Sequence, residues 1–334
     1  MTHEDTMNKY SRRALVGDIG GTNIRFAITD IDELTISHFA LLSSADFQDP
    51  LEALRRYLKT VPDQPSMVSL AIAGPATAES AKMVNRPWTF AEASVAEATG
   101  AEVVHFVNDF EALALALPHL TSYELHQIGG GVPAQAATKA VLGPGTGLGV
   151  AGLAHSPAGW TAIGGEGGHI TFGAMDRKEL DLMADVAPGL EERSAEDLIS
   201  GRGLLGLYRA VAQRHHKEPA ASSPPGVVEA ALVRNDPIAR EALETFALWL
   251  GRLAGDIGLI FGARGGVYLG GGIAPNILEV IASGGFRRAF EQKERLSSYL
   301  ADIPVYVIKT GADAGLRGAA VALANRVRAE ESAR

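Results

Sequence analysis

The sequence predicts an α/β protein of two related lobes, and three observations carry that reading. The chain has 334 residues, the length of two domains at roughly 150 residues each. Short runs rich in β-branched residues alternate with segments of helical periodicity, the order in which strands and helices are wound together. A strand, a glycine turn and a strand also occur twice. Aligned at their Gly-Thr pairs, Gly21–Ala27 and Gly145–Ala151 share glycine, threonine, any residue, an apolar residue, any residue, an apolar residue and alanine, the mark of an internal repeat.

Residues 1–12 are polar and unpatterned and read as a flexible N-terminal extension. Ala14–Ile19 and Ile24–Ile28 read as strands, the second alternating cleanly, joined by Gly20-Gly21-Thr22-Asn23 as the tip of a hairpin. Leu34–Leu42 is a third strand, and Pro50–Leu58 sets Leu51, Leu54 and Leu58 at helical spacing. Met67–Ile72 and Val103–Val107 are short apolar runs suited to buried strands, with a helix over Phe110–Leu117 after the second. The order over residues 14–118 is therefore βββαβαβα.

After Pro118 the pattern restarts, with Ala140–Leu142 and Leu148–Leu153 flanking Gly143-Pro144-Gly145-Thr146-Gly147. Helices are predicted over Glu196–Gln213 and Ile238–Phe261. In the latter, Leu243, Phe246, Leu250, Leu253, Ile257 and Ile260 recur at three- and four-residue steps, an amphipathic core helix. Strands over Gly266–Leu269 and Ile303–Ile308 precede a terminal helix from Asp313 to Val327.

Composition excludes several functions. The formal charge of −9, from 30 Lys+Arg against 39 Asp+Glu, lacks the basic footprint of a sequence-independent nucleic-acid binder. There are no cysteines, so disulfides, thiolate metal sites and cysteine nucleophiles are ruled out. The first residues, Met1-Thr2-His3-Glu4-Asp5, lack the basic and apolar regions of a secretory signal. The most apolar late stretch, Ala247–Gly272, is interrupted by Arg252, Asp256 and Arg264, so a membrane span of about 20 apolar residues is not expected. The expected location is the cytoplasm.

Glycine loops let backbone N–H groups approach phosphate oxygens. A Gly-x-x-x-x-Gly-Lys-Ser/Thr loop is absent. Gly147-Leu148-Gly149-Val150-Ala151-Gly152 and Gly201-Arg202-Gly203-Leu204-Leu205-Gly206 match the dinucleotide spacing. The first leads into a strand and the second lies in a helix, which is the wrong context. Asp18-Ile19-Gly20-Gly21-Thr22-Asn23 is more informative, because a carboxylate ends a strand just before a glycine turn and can face a metal-bound phosphate, directly or through water. The alternative is an ordinary hairpin turn. Gly143–Gly147 and Gly270-Gly271-Gly272-Ile273-Ala274-Pro275-Asn276 offer two more cradles.

Phosphoryl transfer to an alcohol needs a carboxylate that accepts the hydroxyl proton. Asp109 is the candidate: Val103–Val107 runs into Asn108-Asp109 and a helix follows, at the strand end where ligands gather in α/β folds. Helix capping explains it equally well. Gly164–His169 places Glu166 and His169 in a glycine-rich loop, suited to hydroxyl recognition or to plain solvent exposure. Ser194–Asp197 reads as a capping box, which by itself accounts for Glu196.

Five segments now stand in order: Leu15–Asn23, Phe106–Phe110, Gly143–Gly149, Gly165–His169 and Tyr268–Ile273. Together they resemble the bacterial glucokinases that lack a zinc-binding cysteine motif, within the actin-like ATPase superfamily, from about Ala14 to Leu323. The related repressor/kinase sugar kinases are disfavoured, because Ile170-Thr171-Phe172-Gly173 follows His169 where they carry cysteines. A sugar-responsive regulator is disfavoured too, since the residues before Ala14 leave no room for a helix-turn-helix.

The resemblance implies a two-lobed, ribonuclease H-like fold with duplicated βββαβαβα lobes around a central cleft that closes on sugar. The small domain would comprise 13–118 plus 310–334, and the large domain 119–309. It implies ATP-dependent phosphorylation of D-glucose at O6, feeding glycolysis, with another hexose acceptor as the near alternative. Gly17, Asp18, Ile19, Gly20, Gly21, Thr22 and Asn23 would form the first phosphate loop, and Gly145, Thr146 and Gly147 the heart of the second. Gly270, Gly271 and Gly272 would belong to the adenosine site. Asp18 would hold Mg²⁺, directly or through water, and Asp109 would be the base. Asn108, Glu166, His169 and Glu196 would hold the remaining sugar hydroxyls, with Asn85 a further contact. A homodimer is also implied.

Overall fold

The computed structural model of the protein describes residues 12–62, 64–309 and 311–333; the expected extension over 1–12 lies outside them apart from Arg12. The chain forms two compact units. One comprises the described residues of Met1–Leu120 and Ala312–Arg334, and the other is Thr121–Gly311.

The first unit is built on a hairpin of β1 (Arg13–Ile19) and β2 (Asn23–Asp30), followed by β3 (Ile36–Ser43), α1 (Pro50–Leu58) and β4 (Met67–Ile72). A small hairpin of β5 (Ser80–Lys82) and β6 (Thr89–Ala91), then α2 (Glu92–Thr99), β7 (Val103–Asn108) and α3 (Asp109–Ala116), complete this segment. The sheet order is β3-β2-β1-β4-β7. Its first three strands are antiparallel, while β4 and β7 run parallel to β1. Alternate residues divide between two cores. Leu15, Val68, Leu70, Val104 and Phe106 pack on the face of α1 and α2. Ala14, Met67 and Val103 pack on Leu323, Ala324 and Val327 of the last helix, Gly311–Ser332.

The second unit starts with β8 (Leu125–Ile128), then repeats the plan with β9 (Lys139–Pro144), β10 (Leu148–Ser156) and β11 (Gly159–Gly165). Helices α4 (Arg177–Val186), α5 (Ala195–Leu198), α6 (Gly201–Arg214), α7 (Pro224–Leu232) and α8 (Pro237–Phe261) follow. After them come β12 (Val267–Leu269), α9 (Leu278–Ala282), α10 (Gly285–Glu291), α11 (Ser297–Ala301) and β13 (Val305–Ile308), and the last helix is α12. The sheet order β11-β10-β9-β12-β13-β8 is that of the first unit with one antiparallel edge strand added. The repeated Gly-Thr pairs occupy the same place in both sheets, the turn between the first two strands. Among the described residues no helix is long and apolar enough to cross a membrane.

Several boundaries differ from expectation, each for a local reason. The third strand starts at Ile36, because Leu34 closes a turn at φ 56° onto the carbonyl of Asp30. The strand expected from Ile303 begins only at Val305, after Pro304, which has no N–H to give a ladder. The single helix expected over Glu196–Gln213 is two. Ser194 caps α5 and Ser200 caps α6, and the break lets Gly201 N–H donate to Gly145 O at 2.8 Å.

Candidate active site

The first glycine turn is held by its carbonyls. Gly20 N–H donates to Asn23 O at 2.9 Å, and Ser44 N–H to Thr22 O at 2.9 Å. Ser44 Oγ, fully buried, donates to Gly20 O at 2.8 Å, and Arg86 Nε to Gly21 O at 2.9 Å. Arg86 in turn stacks over Trp88, whose indole N–H donates to Gln48 O. Among the described residues none accepts from the N–H of Gly21, which is half-exposed, or of Thr22, which is exposed. Asn85 is exposed beside the turn, its Cβ 3.7 Å from where a Cβ on Gly21 would lie. Gly17 and Ile19 face inward instead. A Cβ on Gly17 would lie 2.7 Å from Leu70, and Ile19 is part of the core.

Asp18 lies opposite Arg25 in the β1–β2 register, and the two form an ion pair at 2.8 Å with side chains 16% and 26% exposed. Burial pushes the Asp18 carboxyl up, and Arg25 offsets this in part through its charge and hydrogen bond. Gly315 of α12 sits against the same carboxyl, where a Cβ would lie 3.1 Å from Asp18 Cγ and Oδ2, a tight fit. One carboxylate beside an N–H-rich turn fits Mg²⁺, which is commonly bound by one or two carboxylates with phosphate oxygens and water completing the set. Among the described residues no group of three or more His, Cys, Asp or Glu could form an all-protein metal cage.

In the second unit two glycine loops lie backbone against backbone. A Cβ on Gly143 would fall 2.6 Å from the carbonyl carbon of Gly270. Gly271, at φ +73°, faces the carbonyl of Pro144, which also accepts from Ile273 N–H at 3.1 Å. Gly145 N–H donates to Gly147 O at 2.8 Å, Thr146 is exposed, and nothing stands within 4 Å of a Cβ on Gly272. The sequences Gly145–Gly147 and Gly270–Gly272 are thus brought together around open space.

At the end of β7, Asn108 is the helix cap. Its Oδ1 accepts from Phe110 N–H at 2.9 Å and Glu111 N–H at 3.2 Å, and its Nδ2 donates to Gly74 O at 3.2 Å. Asp109 is the first helical residue, half-buried, with Oδ1 accepting from Phe110 N–H at 3.0 Å. Asn108 is therefore the cap, and Asp109 shares the N–H of Phe110 from the first turn of the helix.

Glu166 and His169 are exposed at the two ends of a single helical turn that follows β11, tied by His169 N–H to Glu166 O at 3.0 Å. The capping box is present, Ser194 and Asp197 bonding reciprocally. Glu196 stands outside that exchange: Oε2 accepts from Leu148 N–H at 2.9 Å, and Oε1 from Arg202 at 3.1 Å. It sits on the second glycine loop, 2.5 Å from a Cβ on Gly147. Sequence reasoning overlooked Ser44, Arg86, Arg25 and Arg202. Only Arg25 had a readable signal, the alternation of β2 that sets it across from Asp18.

Each unit thus carries a glycine turn between paired strands, the first with a carboxylate at the head of α3 and the second with a polar loop after β11. The sequence profile of the family described as Glucokinase matches residues 15–326. The chain belongs to the glucokinase family. It is 40% identical over 314 residues to a glucokinase of Hahella chejuensis, covering 94% of this chain and 97% of the relative. A glucokinase of Neisseria gonorrhoeae is 41% identical over 315 residues, covering 94% and 95%. The crystal structure of a glucokinase from an Antarctic psychrotroph is similar at TM-score 0.80 and 33% identity, over 94% of this chain and 99% of that one. Like other glucokinases, the chain is a kinase with the actin-like ATPase fold.

Proposed function

We propose that the chain phosphorylates D-glucose at O6 with Mg²⁺-ATP, Asp109 acting as general base. The observation that carries this reading is the position of Asp109: it opens α3 directly after β7, half-buried, next to an Asn108 whose Oδ1 accepts from Phe110 and Glu111, at the strand end where ligands gather in α/β folds. In the reaction, the sugar O6 bonds to the γ-phosphorus as the bond to the ADP oxygen breaks, and Asp109 takes the hydroxyl proton. The products are glucose 6-phosphate and ADP.

The N–H groups of Gly21 and Thr22 in the first turn and of Thr146 and Gly147 in the second bind phosphate oxygens, and Gly270–Gly272 lies against the nucleoside. Asp18 would hold Mg²⁺, directly or through water, and the ion would supply neutralisation of the charge on the phosphates. Asn108, Glu166, His169 and Glu196 hold the other hydroxyls, with Asn85 beside the first turn. The same reading carries a cytoplasmic homodimer; light scattering at the monomer mass would remove the dimer.

The test is ADP release with Mg²⁺-ATP across glucose, mannose, fructose, N-acetylglucosamine and no sugar. Release with glucose far above the no-sugar rate is expected. Folded protein that binds ATP and releases ADP with none of them would overturn the assignment.

A further inference from the structure

We infer that Glu179 and Arg252, assisted by Trp249, form a clamp that positions the sugar-facing residues of the second unit. Both are positioning residues, without a contact to the sugar. The inference rests on the reading of His169 and Glu196 as sugar ligands. Arg252, on α8, has three partners: one guanidinium nitrogen donates to both oxygens of Glu179 at 2.9 Å, another to Gly173 O at 2.9 Å, and Cζ lies over the ring of Phe172, 4.3 Å from its centre. Glu179, on α4, also accepts from Trp249 Nε1 at 2.6 Å and from the backbone N–H of Met175. The pair is 13% and 17% exposed.

What the clamp holds is backbone, namely the irregular segment of Phe172, Gly173 and Met175 that follows His169. That segment is fixed on its other side as well. Phe172 N–H donates to Arg193 O at 3.0 Å, and Ala195 N–H to Ile170 O at 2.8 Å. Ile170 is the residue after His169, and Ala195 is the residue before Glu196. One short bridge between two loops therefore sets both sugar residues, and the clamp sets the bridge. The Met175 N–H bond also closes the start of α4, but an ion pair that served only to join α4 to α8 would have no need to bond Gly173 O. The two terminal nitrogens of the guanidinium serve different partners, Glu179 and Gly173 O, beside the ring of Phe172; a Lys ammonium is a single point charge and does not span them in this geometry. Misplacing a binding group by about 1 Å costs up to about 100-fold in catalysis.

The test compares R252K and E179Q with the unchanged protein. In R252K the KM for glucose is expected to rise about tenfold, with the KM for ATP within about twofold. Adding E179Q to R252K should cost little more, since the two act as one unit. W249F, which removes one donor to Glu179, should show the same split in smaller degree. Hydrogen exchange without sugar supplies the second readout: the N–H of Met175 and Phe172 should exchange faster in R252K while the interior of α8 does not change.

A lowered melting temperature with an unchanged glucose KM would make the pair merely structural and overturn the inference. If the unchanged protein phosphorylates no hexose, the sugar reading fails by itself. Exchange at Met175 and Phe172 then still decides whether the clamp holds the loop, and unchanged exchange overturns it.

Discussion

The carboxylate of Glu196 accepts the backbone N–H of Leu148 at 2.9 Å, so a residue assigned to the sugar rests on a loop assigned to phosphate. A side chain on Gly147 would intrude on this contact, its Cβ 2.5 Å from Glu196 Oε2. G147A is therefore expected to raise the KM values for glucose and for ATP together, each about tenfold. Steady-state kinetics checks this; a change in one KM alone would separate the two loops.

Asp109 is expected to act on the proton and not on binding. D109N should lower kcat by a factor of about 100 to 10,000, the usual worth of a general base. Glucose affinity, measured by calorimetry, should stay within about threefold. Near-normal turnover would remove Asp109 from the role of base.

Arg25 offsets the cost of burying Asp18. R25M leaves that carboxylate without its partner and should cost about 2 kcal/mol of stability, below the full penalty for a wholly buried pair because both side chains are partly exposed. The carboxyl should rise further, so the ionised form that suits Mg²⁺ is reached only at higher pH. The acid limb of the activity profile is expected to move upward, and its position in R25M and the unchanged protein is the measurement.

His105, on β7, lies beside the buried Ser69 of β4 in the sheet register. Burial, with a smaller contribution from Arg326, pushes its imidazole down to about 4. The unfolded chain takes up this proton near 6.5, so between these values the unfolded state holds more protons. Stability from this group is complete above about pH 6.5 and is lost as pH falls towards 4, by up to about 3 kcal/mol. Urea unfolding at pH 7 and pH 4.5 should show the loss, and H105L should flatten that part of the profile.

Much of the frame was legible because it depends on local pattern. Met67–Ile72 and Pro50–Leu58 match expectation to the residue, one as an apolar run and the other as a periodic one. The candidate site was legible where its residues sit at recognisable turns, as with Asp18 at the end of β1 or Gly145 after β9. It was hidden where contacts join residues distant in the chain. Glu179 and Arg252 are 73 residues apart, and Arg86 meets Gly21 across 65; neither spacing has a periodicity to betray it. The same limit blurred the cap of α3. Asn108 and Asp109 are both good capping residues, and only the φ of −63° and ψ of 145° at Asn108 separate them.

The core that Ala14, Met67 and Val103 share with Leu323, Ala324 and Val327 has a bearing on how the chain is made. Arg326 reaches back to the carbonyl of Val104 across 222 residues, and all of Thr121–Gly311 is synthesised in between. On the ribosome, one face of the first sheet therefore waits, uncovered, while the second unit is translated and is free to fold as a continuous segment. A chain released before α12 would carry a finished second unit beside a first unit with an open apolar face, the kind of surface that chaperones hold and proteases recognise.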